Sequence, residues 1–117
     1  MDFERLQKDV ARLDGLLDGL KKADPKAVRE FAVGLRGILM DLLKDRKEPV
    51  RPGQMFKDAA AKGLVPGDIA PRADALLIRW TGQVTPAAEA VTEDASRWTA
   101  VAEKVLPVLK AYRKERP

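Results

Sequence analysis

Apolar residues along this chain recur at intervals of three and four, and no segment alternates with period two. Phe3, Leu6, Val10, Leu13, Leu17 and Leu20 draw one stripe, which predicts an amphipathic helix over about residues 2–22. Asp24-Pro25 is a helix start, because Asp accepts from exposed backbone donors and Pro at the first helical position gives up no bond it needed. Val28, Phe31, Leu35, Ile38, Leu39 and Leu42 then line a second helix to about residue 46, stopped by a charged stretch and Pro49. Gly34 and Gly37 flank that stripe, where small side chains either permit close approach of another helix or are simply tolerated. Pro49, Pro52 and Gly53 form a loop, and 54–62 reads as a short helix with Met55, Phe56 and Ala59 inward and Gly63 as a left-handed cap.

Ile69, Ala73, Leu76, Leu77 and Trp80 define the next helix, with Asp68 as its cap, Pro71 in its first turn and an end near Thr81-Gly82. Trp98, Val101, Val105, Leu109 and Tyr112 define the last, which starts between Thr85 and Thr92 and ends near Lys114, with a kink expected at Pro107. These elements make the fold class all-α: an antiparallel bundle of four main helices plus one short one, in a single domain over 1–117. Residues 1–23 form an N-terminal amphipathic helix on a core of 24–117. The first stripe serves either a dimer or the bundle's own interior, and both readings stay open at this stage.

Composition narrows the chemistry. The chain has 117 residues, 45% of them hydrophobic and 34% charged, with no His and no Cys. Without Cys there are no disulfides and no thiolate nucleophile or sulfur-ligated zinc, and nothing calls for an oxidising compartment. Without His, the side chain that most often exchanges protons near neutral pH is missing, and with it Ser-His and His-metal chemistry. The N-terminal stretch is acidic from its second position and has no continuous apolar core, so neither a signal peptide nor a membrane span is expected. The expectation is a cytoplasmic protein without a membrane partner.

No glycine pattern cradles a nucleotide. Acidic pairs at helical spacing, Asp14 with Asp18, Asp41 with Asp45 and Glu89 with Glu93, read as solvated charge, and Asp45 with Glu48 abuts Pro49. No cofactor, metal site or catalytic residue is therefore assigned. The net charge is +4, from 22 basic and 18 acidic residues. Basic residues gather in two places, Lys44, Arg46, Lys47 and Arg51 around the long loop and Lys110, Arg113, Lys114 and Arg116 at the C-terminal end. Cations in a last helical turn complement the helix dipole, which accounts for part of this clustering. Every Phe and Trp belongs to a helix stripe, which leaves no stacking platform for single-stranded nucleic acid.

The stretch from Val28-Arg29-Glu30-Phe31 to Leu43, then Met55-Phe56 with Lys62-Gly63-Leu64-Val65-Pro66, then Ala73-Asp74-Ala75-Leu76 into Arg79-Trp80-Thr81-Gly82-Gln83, and last Glu93-Asp94-Ala95, resembles a HEPN domain over about residues 26–113. HEPN domains are helical bundles of bacterial and archaeal toxin-antitoxin and defence systems, and many are dimeric ribonucleases. The resemblance aligns Arg79 with the family's catalytic Arg, and Gly82-Gln83 with a Gly-Asn step. The His that follows in active members is missing, because Thr85, Pro86 and Ala87 stand there. The resemblance thus implies a non-catalytic member in which Arg79 and Gln83 contact a partner or a phosphate, with a surface salt bridge as the alternative for Arg79. The expected function is a helical interaction module, not an enzyme, working as a homodimer or through a protein partner. The alternative is weak nucleic-acid binding by the two basic clusters.

Overall fold

In a computed structural model of the chain, residues 2–82 and 86–112 are described. Every regular element among them is helical: α1 (Phe3–Gly15), α2 (Leu17–Lys21), α3 (Pro25–Asp45), α4 (Met55–Ala61), a 3-10 turn (Gly67–Ile69), α5 (Ala70–Thr81) and α6 (Ala88–Ala111). The all-α bundle read from the sequence is the observed fold. None of these helices is long and apolar enough to cross a membrane.

α3 is the centre of the bundle and touches every other α-helix. Its predicted stripe explains why, since Val28, Phe31, Leu35, Ile38, Leu39 and Leu42 are all buried. The Asp24 carboxylate accepts from the Lys26 amide, as the Asp-Pro start requires. Trp98 of α6 meets Phe31 edge to face at 5.7 Å between ring centres, and together with Phe56 and Trp80 these rings fill the middle of the core. Gly63 takes the left-handed conformation, φ 72°, after α4.

Some expectations are corrected by the structure and others narrowed. The first predicted helix is two, because the ladder breaks at Leu16: α1 packs on α3 and α6, and α2 packs chiefly on α6 and α3. The stripe it carries is internal. Leu6, Val10, Leu13 and Leu20 are buried within the chain, and Phe3 and Leu17 are partly buried against the same core. The bundle itself thus takes up the surface on which dimerisation was expected to rest. Only one of the two flanking glycines meets a helix: a Cβ on Gly34 would stand 2.9 Å from Leu13 Cδ2, whereas one on Gly37 would meet nothing within 4 Å. Asp68 does not cap α5. It lies in the 3-10 turn, α5 begins after Ile69 with no side-chain cap, and the Asp68 carboxylate faces Lys104 of α6 at 3.7 Å. The last helix ends at Ala111, with Pro107 inside it.

Candidate functional site

Two aspartates stand in the buried phase of their helices, and each is anchored by donors from a neighbouring segment or side chain. Asp74, between Ala73 and Leu77 on α5, accepts from the backbone N–H of Phe56 at 2.7 Å and of Lys57 at 3.2 Å. It thereby caps α4 from another helix and satisfies donors that the short helix leaves open. Burial pushes the Asp74 carboxyl above the usual carboxylate range, against the pull of those two amides.

Asp94, near the start of α6, is 0% exposed. Its carboxylate accepts from Arg79 Nη1 at 3.0 and 2.9 Å, from the Trp80 indole N–H at 2.9 Å, and from Arg97 Nη1 at 2.9 Å. Burial alone would raise its pKa, but these donors outweigh it and hold the carboxyl below its ordinary value. The arrangement is a clasp between α5 and α6 in which an ionised group lies at the seam and two guanidinium groups cover it. Both arginines remain about half exposed, with side-chain exposures of 48% and 45%.

Arg79 is therefore not isolated: among the described residues its guanidinium bonds to the carboxylate of Asp94. The structure places it in an ion pair, as the salt-bridge alternative had it, but with a buried carboxylate instead of a surface one. Gln83, its companion in the resemblance, lies outside the described residues, as do Arg113, Lys114 and Arg116. The remaining basic candidates are dispersed. Arg51 is bound to Asp58, with Nε 3.0 Å from Oδ2, and their hydrogen bond raises the pKa of Arg51 and lowers that of Asp58. Lys110 reaches Asp14 across α6 and α1 at 3.0 Å. Lys44 and Lys47 line an open hollow that they share with Asp2, Arg5, Asp41 and Asp45, so carboxylates interleave with the cations there. Arg46 sits beyond the end of α3 as its C-terminal cap residue. Among the described residues no group of acidic side chains could hold a metal ion.

At the far end of α5, Arg29 of α3 donates to the Gly82 carbonyl at 3.1 Å. A cation at a helix C-terminus is favourable on dipole grounds.

Asp74 and Asp94 were not singled out from the sequence. The signal was present: Asp94 precedes Trp98 by one turn and Asp74 precedes Leu77 by three residues, so each interrupts an apolar face with a charge. Comparison with family models, with curated proteins and with solved structures finds no match to the chain.

Proposed function

We propose that this chain is a HEPN-like interaction module without catalysis, acting through a protein partner or a second copy, in a setting such as a toxin-antitoxin or defence system. The observation that carries the reading is the engagement of Arg79 by Asp94. An arginine that polarises a phosphodiester needs a neighbour that exchanges a proton near neutral pH. The neighbours that bond to this one's carboxylate are Trp80 and Arg97, and Asp94 itself is stabilised as the anion. A carboxylate so held stays ionised at pH 7 and has no proton to give, and with three donor side chains on its oxygens it is a poor base. What the clasp offers instead is a pair of half-exposed guanidinium groups with fixed positions, which suits recognition.

The test is incubation of the purified protein with total RNA, with and without magnesium. RNA is expected to remain intact. Cleavage that persists through further purification and disappears in Arg79→Ala overturns the proposal.

A further inference from the structure

The clasp is one end of a longer feature. Arg79 at the end of α5 meets Asp94 near the start of α6, while Asp68, just before α5, faces Lys104 farther along α6. The two helices are therefore antiparallel, and their seam runs from the clasp to the Asp68–Lys104 pair. On α5 the exposed cations are Arg72 and Arg79, of which Arg79 reaches the seam through Asp94 and Arg72 shares its face seven residues earlier; on α6 Arg97 and Lys104 reach it through Asp94 and Asp68. Each pair is separated by seven residues, which on a helix keeps both side chains on one face and sets them about 10.5 Å apart along the axis. Two parallel rows of cations thus share one repeat.

We infer that the α5–α6 seam is a docking surface for an acidic helix of a protein partner, with carboxylates at seven-residue spacing along the line of the seam. The inference rests on the proposed role as an interaction module and names its contact surface and partner chemistry. Three observations favour it. First, a partner helix with acids at that interval repeats every 10.5 Å or so as well, and therefore stays in register with both rows. Second, Asp94 immobilises Arg79 and Arg97 before any partner arrives, so less side-chain freedom is lost when they bind. Third, the carboxylates that compete at the surface are weakly held. Glu93 stands 3.5 Å from Arg97 and is 72% exposed, Asp68 stands 3.7 Å from Lys104 and is 65% exposed, and Arg72 has no ion-pair partner among the described residues. Such exposed pairs are worth little and exchange readily. Nucleic acid fits less well, because Trp80 and Trp98 are buried and leave no aromatic for base stacking at the seam.

The experiment uses fluorescence anisotropy with the full chain at about 0.15 M salt. The probes are a helical peptide of about three heptads with Glu at every seventh position, a permuted peptide of the same composition, and a single-stranded RNA and a duplex DNA oligomer. The variant is Arg72→Ala with Lys104→Ala, two exposed residues outside the Asp94 clasp, and Lys44→Ala with Lys47→Ala is the control. The repeat peptide is expected to bind more tightly than the permuted one. The seam variant should weaken it by about two- to fivefold for each ion pair removed, and the control should not. Equal binding of the two peptides, an unaffected seam variant, or an oligomer that outbinds the peptide and is lost in the same variant overturns the inference. None of these results touches the proposal of a non-catalytic module, which falls instead on RNA cleavage.

Discussion

Replacing Asp94 by Asn probes the clasp at its centre. The carboxylate is fully buried and accepts from two arginines and the Trp80 indole. Asn keeps the size but loses the charge, and its amide presents donors toward Arg79 and Arg97. The arginines are half exposed and can return to water, so the main cost comes from the weakened bond to the buried indole N–H and from the lost ion pairing. An unsatisfied buried donor costs about 1–3 kcal/mol, and breaking a buried pair from one side costs about 3–5 kcal/mol. With solvent available to both arginines, we expect about 3 kcal/mol. For a domain of this size that corresponds to a fall in Tm of roughly 12 °C. The pH dependence supplies a second check. The folded-state pKa of Asp94 lies below its unfolded value of about 3.9, so its contribution is complete above the unfolded pKa and is lost as pH falls through the folded pKa. The difference between native protein and Asp94→Asn in urea unfolding should be constant above about pH 5 and shrink progressively below pH 4. A difference under about 0.5 kcal/mol at pH 7, or one that ignores pH, refutes the argument.

Asp74→Ala should cost about 1–2 kcal/mol, a typical cap loss, and amide exchange should accelerate at Phe56 and Lys57 before other core amides. Because the Asp74 pKa is raised in the folded state, the stability it confers is complete below its unfolded pKa and declines as pH rises through the folded one, so Asp74→Asn should remove that decline. Gly37→Ala should stabilise the protein by about 0.5–1 kcal/mol through helix propensity, whereas Gly34→Ala should destabilise it because its Cβ would press on the buried Leu13; equal thermal shifts would contradict the packing of α1 on α3. Leu13→Ala should lower the unfolding free energy by about 2–5 kcal/mol equally at all protein concentrations, and a concentration-dependent effect would return the first stripe to an intermolecular role.

Periodicity carried most of the fold. The stripe positions from Val28 to Leu42 are all buried, Asp24-Pro25 and Gly63 are local signals with local causes, and each reappears in the structure at the expected residue. The stripe from Phe3 to Leu20 was equally legible, but a periodic pattern reports which face is apolar and not what covers it. The break at Leu16 was not legible, and the two helices it separates both pack against α3 and α6, which are distant in sequence. Asp68 shows the limit of cap chemistry: the residue type suits a cap, yet the 3-10 turn displaces it and it faces Lys104 instead. The site was less accessible because its central residue looked like one more surface acid. Arg79 was found through resemblance, while Asp94 needs three donors from two helices before its role is visible. The seven-residue spacing of Arg72 with Arg79 and of Arg97 with Lys104 could be read from the sequence, but only the antiparallel pairing of α5 with α6 brings the two rows together.

Native mass spectrometry of the protein gently isolated from its own cells tests the central claim most directly. An interaction module should be found in a stoichiometric assembly heavier than one copy of the protein, with a second protein or a second copy accounting for the added mass. A species with the mass of a single copy at the same concentrations, or one that carries only bound RNA fragments, contradicts the account.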